Sequence, residues 1–249
     1  MPRLRLDQAL VQQGLCPTRE KARRAVLAGE VLLRGHRAKK PSDLVEPGDS
    51  LDLTAPERFV SRGGHKLEHG LQHFQLPALG LTAIDLGAST GGFTDCLLQH
   101  GAARVFAVDV GRGQLAWKLR QDPRVFVMER TNARALLPKN FPQPFAGADL
   151  VVADCSFISL RKILPAAVAL LRPSGKILAL VKPQFEAGKA EADRGAGVIT
   201  DPAIHARVLR ELREFVTMNL PVLWRGETES PLLGPAGNKE FLVLLEKNS

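Results

Sequence analysis

Apolar positions recur at two different periods along the chain, and the change of period divides it. From Leu4 to about Gly29, Leu6, Leu10 and Val11, then Ala22, Ala25, Val26 and Leu27, fall at helical spacing. The break at "GLCPT" predicts two short helices, with Gly14 ending the first and Thr18 capping the second. "GEVLLRG" and "DSLDL" read as short strands joined by the turn-rich "PSDLVEPGD". Residues 55–60 are the expected linker, where Ala55, Pro56 and Glu57 interrupt both periods. Beyond it, the apolar runs "TAIDLG", "RVFAVDVG", "RVFVMER", "DLVVADCSF" and "GKILALVKP" alternate with helical segments. Those segments lie at about Gly92 to Gly101, "QLAWKLRQD", "SLRKILPAAVALL" and "PAIHARVLRELREFV". "PVLWRGETES" and "KEFLVLLEK" close the chain as an antiparallel edge hairpin. The pattern predicts an α/β fold, a doubly wound, mostly parallel sheet over residues 61–249 with an antiparallel edge strand, preceded by a small α+β domain over residues 1–54.

Charge sharpens the picture of the first module. Residues 1–40 hold ten Lys and Arg against three Asp and Glu, while the rest of the chain is close to balanced. A block so local predicts a polyanion-binding surface, with Arg3, Arg5, Arg19, Lys21, Arg23, Arg24, Lys39 and Lys40 as the contacting candidates. With 249 residues, 45% of them apolar, the chain can bury a sizeable core. Cys16, Cys96 and Cys155 are odd in number and widely spaced, and the six histidines show no ligand spacing. Neither a disulfide framework nor a metal site is expected, and a reducing cytoplasm fits best. No apolar run nears the roughly 20 residues that span a bilayer, and the amino terminus lacks an apolar signal core, so no membrane association is expected.

In "AIDLGASTGGFTD" a strand, a glycine turn and a helix start follow one another directly. Gly87, Gly91 and Gly92 allow tight turning and close backbone approach to a ligand, and Asp85 ends the strand beside it. Ser89 replaces the second glycine of the dinucleotide pattern, which argues against a nicotinamide cofactor. Asp109 ends the next strand 22 residues after Gly87, placed to bind both hydroxyls of a ribose. This order resembles the S-adenosylmethionine pocket of class I methyltransferases. The resemblance implies contacts from Asp85, Gly87, Ser89, Thr90, Gly91, Gly92, Phe93 and Thr94. It extends to Asp109, Val110 and Asp154, and to Glu129 and Asn132 in "MERTN".

Four ionisable residues stand at ends of elements that face the same crevice. Lys66 lies in "FVSRGGHKLEHG", Asp154 ends "DLVVAD", Lys182 ends the apolar "KILALV" and Glu240 opens the last strand. The expected strand order puts Asp154 and Lys182 on either side of the methyl donor. A ribose hydroxyl is a poor nucleophile, so a nearby base and in-line placement assist its attack. A lysine serves as that base only when neutral, and a second ammonium close by favours the neutral form. Lys182 is then the proton acceptor, Lys66 its electrostatic partner and substrate positioner, and Asp154 and Glu240 the orienting carboxylates. Ser156 and Ser159 are expected to cap the following helix, with Ser156 and Phe157 near enough to touch cofactor or target base; Trp117 and Trp224 are expected to pack.

The Lys, Asp, Lys, Glu series resembles the tetrad of FtsJ-like 2′-O-ribose methyltransferases. "RLDQALVQQGLCPTREKARRAVLAGEVLLRG" with "EPGD" resembles the alpha-L RNA-binding motif. Taken with "VSRGGHKL", "DLGASTGGFTDCLLQ", "ADCSFISL", "LVKPQFE" and "GNKEFL", nearly the whole chain is similar to the TlyA (hemolysin A) family of ribosomal RNA methyltransferases. Phe59 and Leu233 depart from that family's usual Tyr and Ile without touching the tetrad. The resemblance implies an S-adenosylmethionine-dependent enzyme acting on ribosomal RNA or ribosomal subunits, at a cytidine. Two other readings stand beside it: a non-enzymatic ribosome-assembly factor with a vestigial pocket, and a membrane-active protein suggested only by the family's hemolysin label.

Overall fold

Side-chain alternation along each strand decides how a sheet is covered, and the longer apolar runs here are covered on both faces. The computed structural model describes residues 3–54, 58–188, 191 and 195–248. The chain separates into two units, residues 1–58 and 59–249. Residues 55–57 of the expected linker lie outside the described residues, and Phe59, at its far end, is buried in the second unit.

In the first unit the chain runs through β1 (Leu4–Arg5), α1 (Leu6–Gln12), α2 (Arg19–Leu27), β2 (Val31–Leu33), β3 (His36–Arg37), β4 (Leu44–Val45) and β5 (Leu51–Leu53). β2 pairs antiparallel with β3 and β5, and β1 with β4. Gly14 takes a left-handed φ of +73° after α1, and Thr18 Oγ1 accepts from the Lys21 N–H at 3.2 Å to cap α2. Leu6, Leu10, Ala22, Val26 and Val31 form its core. Leu4, expected to open a helix, is in a strand instead; two-residue strands are too short for periodicity to register.

The second unit contains α3 (Gly63–His73), β6 (Thr82–Leu86), α4 (Gly92–Gln99), β7 (Arg104–Val108), α5 (Trp117–Arg120), β8 (Val125–Met128), β9 (Ala148–Ala153) and α6 (Leu164–Leu170). It continues through β10 (Leu171–Val181), α7 (Pro183–Glu186), α8 (Pro202–Asn219), β11 (Val222–Glu229) and β12 (Phe241–Lys247). Seven strands form one sheet in the order β11-β12-β10-β9-β6-β7-β8. Strands β6 to β10 pair in parallel, and β12 runs antiparallel to both neighbours, so the last two strands form the expected edge pair.

Ile84, Val151, Ala153, Ile177 and Ala179 face α6 and α8, where Leu164 and Leu212 meet them. Ala83, Leu150, Val152, Leu178 and Leu180 face the side of α3 and α4, against Leu67 and Leu97. The order reverses at β6, so a crevice opens at the carboxyl ends of β6, β7 and β9.

Two local expectations need correction. The helix over "SLRKILPAAVALL" is split into a 3₁₀ turn at Leu160–Lys162 and α6, because Pro165 has no N–H to give and fits only a first turn. Trp117, expected to pack, is 74% exposed on the four-residue α5, whereas Trp224 is partly buried against the core.

Phe59 reaches the core through a gap that glycine leaves. A Cβ on Gly64 would stand 2.5 Å from Phe59 Cβ, and Phe59 is 1% exposed. Gly64→Ala is expected to destabilise the second unit by about 1–3 kcal/mol through overpacking. Calorimetry should show a midpoint several degrees lower, and an unchanged midpoint would contradict this packing.

Candidate active site

Parity along the strands brings the polar residues together. Leu150 and Val152 of β9, Leu178 and Leu180 of β10, and Leu242 of β12 face the side of α3. Counting two residues on from Val152 and Leu180 gives Asp154 and Lys182, and two residues back from Leu242 gives Glu240. Because β12 runs opposite to β10, its beginning lies beside the ends of the parallel strands. Lys66 joins them from the buried face of α3, next to Leu67 and Gly70.

Two ion pairs result. Lys182 Nζ lies 2.5 Å from Asp154 Oδ1 and donates to Ser156 Oγ at 2.9 Å. Lys66 Nζ donates to Glu240 Oε2 at 2.5 Å. The side chain of Glu240 is 1% exposed and that of Lys66 7%, so neither charge is held by water. All four tetrad candidates line one cavity of about 270 Å³, together with Ser61, Arg62 and the glycine turn. Sequence reasoning overlooked Ser61 and Arg62, since only the packing of α3 brings its start to the sheet. Ser156 was misassigned: Ser159 Oγ accepts from the Arg161 N–H as a cap, whereas Ser156 turns to Lys182.

A neighbouring cavity of about 340 Å³ is lined by Asp109, Val110, Asn132, Cys155 and Phe157, and shares Gly87, Ser89, Asp154 and Ser156 with the first. Gly87 has a φ of +85°, and a Cβ there would lie 2.8 Å from the Asp154 carbonyl oxygen. Only glycine lets the end of β6 pass so close to that of β9. Asp109 holds the turn with Oδ2, which accepts from the Ser89 N–H at 2.8 Å, and Oδ1, which accepts from Gly111 at 2.6 Å. Thr90, Gly92 and Phe93 line the first cavity. Asn132 lines the second while its side chain caps the Ala133–Ala135 turn.

Asp85, Gly91, Thr94 and Glu129 line neither cavity. Gly91 supplies the left-handed φ of +96° before α4. Glu129 accepts from the Gly113 N–H at 2.7 Å and pairs with Arg120. Partial burial opposes its charge, but Arg120 and Gly113 outweigh that and hold the carboxyl below its usual range. Asp85 is fully buried beneath the turn, its Oδ2 accepting from Thr94 N–H at 2.9 Å and from Thr94 Oγ1 at 2.7 Å. Its Oδ1 has no partner among the described residues. Burial pushes the Asp85 acid up to about 7, against the Thr94 hydrogen bonds and with the repulsion of Asp154 and Asp109. Burial likewise pushes the Cys155 thiol up to about 12, which leaves it unreactive.

A narrow slot with a carboxylate, an amide and exposed apolar side chains at Val110 and Phe157 has the donor set for a ribose and a flat base. The residues present therefore fit a nucleoside-bearing methyl donor.

In the first unit Arg19, Arg23, Arg24 and Leu27 border a shallow depression on α2, with Arg24 paired to Glu20 at 2.7 Å. Arg5 and Arg19 both reach buried Asp7, at 3.1 and 2.9 Å, and Arg3 pairs with Glu46 at 2.7 Å. Lys21, Arg23, Lys39 and Lys40 are exposed. Among the described residues no cluster of three His, Cys, Asp or Glu is placed to hold a metal, and no helix is long and apolar enough to cross a membrane.

Residues 59–247 match the model of the FtsJ-like methyltransferases, and residues 4–51 that of the S4 domain. The chain is 46% identical over 249 residues to the 16S/23S rRNA (cytidine-2′-O)-methyltransferase TlyA of Mycobacterium tuberculosis, covering 98% of this chain and 90% of that protein. Hemolysin A of Brachyspira hyodysenteriae is 35% identical over 241 residues, 96% of this chain and 98% of its own. A solved structure from Streptococcus thermophilus that carries a hemolysin label is 45% identical, with a TM-score of 0.76 over 100% of this chain and 90% of that one.

The raised acid at Asp85 makes stability depend on pH. Its folded value, about 7, exceeds the unfolded 3.8, so the folded state holds the extra proton between them. That contribution is complete at low pH and is lost as pH rises through about 7. Denaturant midpoints measured from pH 5 to 8 should therefore fall for the wild type relative to Asp85→Asn; parallel profiles would contradict the burial.

Proposed function

The chain belongs to the TlyA (hemolysin A) family of FtsJ-like methyltransferases, and from that premise we propose that it methylates a ribose 2′-hydroxyl of ribosomal RNA, at a cytidine, using S-adenosylmethionine. The observation that carries the reading is the pair of buried lysine–carboxylate contacts on one cavity, opening beside a nucleoside-sized slot. The relative from M. tuberculosis, named for cytidine 2′-O-methylation in both ribosomal RNAs, supports the substrate class.

When bound, S-adenosylmethionine supplies a sulfonium methyl carbon whose bond to sulfur breaks with the electron pair left on sulfur. Gly87, Ser89, Asp109, Val110 and Asn132 would hold it, with Asp109 toward its ribose and Val110 against its base. As the target oxygen takes up that methyl, Lys182 Nζ would accept its proton. Lys182 has to meet that step as the amine. Lys66, held by Glu240, positions the substrate. The S4 unit holds the RNA through α2 and neighbouring cations, the enzyme working in the cytoplasm where ribosomal particles are made.

The deciding experiment incubates purified ribosomal subunits with radiolabelled donor and maps 2′-O-methyl positions. The expected result is label at a cytidine 2′-oxygen, with Lys182→Ala binding donor normally but at least about 100-fold slower in transfer. No label on either subunit, or wild-type turnover in Lys182→Ala, would contradict the reading. For the S4 unit, replacing Lys21 and Arg23 together by Glu should weaken subunit binding about tenfold or more at physiological salt. It should also flatten the slope of log affinity against log salt by about one to two. Donor affinity should stay unchanged, and an unaltered salt series would refute this division of labour.

A further inference from the structure

Once β9 and β10 have ended, no backbone hydrogen bond among the described residues joins residues 154–160 to residues 182–186. The first segment carries Asp154, Ser156 and Phe157, and the second Lys182 and Phe185. A third cavity of about 360 Å³ borders both, with Ser156, Phe157, Lys182 and Phe185 in its wall. Side chains therefore have to hold the two segments together.

Glu186 closes the far end. Its Oε1 accepts from the Leu160 N–H at 2.6 Å, and its Oε2 accepts from the Ser159 hydroxyl at 2.7 Å. Between this tie and Lys182, the rings of Phe157 and Phe185 lie 5.3 Å apart. The first segment needs holding, because Phe157 has a φ of +63°, a left-handed backbone that a bulky side chain keeps only where its surroundings impose it. Phe157 is itself 90% exposed, whereas Leu160 is sealed in the core. Lys182 and Glu186 belong to one tight turn, in which the Phe185 N–H donates to the Lys182 carbonyl at 2.9 Å. Fixing Glu186 to the anchored Leu160 thus fixes the turn. We propose that Glu186 is a positioning residue that latches the Lys182 turn to the loop after Asp154, keeping Lys182 Nζ where the substrate hydroxyl arrives.

Glu186 also caps the Leu160–Lys162 turn, and a cap alone would matter only to stability. A latch matters to where Lys182 stands, and a misplacement of about 1 Å at a reacting group can cost on the order of 100-fold in rate. Glutamine keeps both ties, its oxygen accepting from the Leu160 N–H and its nitrogen donating to Ser159 Oγ. The inference rests on the base assignment proposed above, since Glu186 acts only through Lys182.

The test uses the full chain with purified ribosomal subunits and tritiated S-adenosylmethionine, measuring single-turnover transfer in Glu186→Ala, Glu186→Gln, Lys182→Ala and the Lys182→Ala/Glu186→Ala double variant. Glu186 lines none of the three cavities, so donor affinity should stay as in the wild type. Glu186→Ala should slow transfer about 10- to 100-fold with KM for subunits within about threefold, and Glu186→Gln should recover to within about threefold. In the Lys182→Ala background the second substitution should cost nothing further, because a residue that acts through Lys182 has lost its target. Should Glu186→Ala not fold, Ser159→Ala, which removes one of the two ties, takes its place, with a loss of about fivefold that also vanishes in the Lys182→Ala background. Wild-type transfer in the latch variant while Lys182→Ala is slow would overturn this proposal alone, as would a loss confined to KM or a glutamine variant as slow as the alanine one. Losses that multiply in the double variant would overturn it too, showing a residue that serves only the fold. Wild-type turnover in Lys182→Ala would remove the base assignment and this proposal with it.

Discussion

Two lysines are buried at the end of an apolar sheet, each with a carboxylate oxygen 2.5 Å from its Nζ. An unpaired buried charge costs several kcal/mol, so removing either acid would leave a lysine that the surrounding Leu, Val and Phe cannot accommodate. The constraint reaches into the topology. Asp154 and Lys182 arrive at the ends of parallel strands, but a partner for Lys66 on the far side of β10 has to come from a strand that begins where the others end. The antiparallel β12 provides that, its Glu240 leading into the strand paired with β10.

The glycine turn ties this cluster to the donor slot. Gly87 touches the backbone of Asp154, and Asp109 clamps the turn from β7 through Ser89. Beneath it Asp85 holds the start of α4 through Thr94. A change in how the turn sits therefore moves the ion-pair partner of Lys182. The two cavities share Asp154 as a common wall, which is the physical sense in which they form one site.

Much of this was legible in the residues. The apolar run ending in Lys182 flagged a charge that needed a purpose, and the expected strand order put it close to Asp154. Asp85, Gly87, Gly91 and Asp109 announced the turn by type and spacing alone. Where the reading failed, the cause was information that sequence does not hold. Ser156 sits among capping residues, and only the tertiary approach of Lys182 shows that its hydroxyl is engaged elsewhere. Glu129 stood at the right strand end, yet Arg120 and the Gly113 amide claim it. Trp117 looked like a packing residue because indoles usually are, but α5 is a single turn with too little surface to cover it. Strands β1, β3 and β4 leave no periodic trace at two residues each.

The central claim is that Lys182 meets the target hydroxyl inside a cavity walled by both ion pairs. A structure of the chain on a ribosomal subunit with a non-reactive donor analogue measures it directly. The account predicts Lys182 Nζ within about 2.6–3.2 Å of the target 2′-oxygen, with Asp154 and Ser156 still at its other two sides. A target oxygen held by a different side chain, with Lys182 turned away from it, would contradict the account.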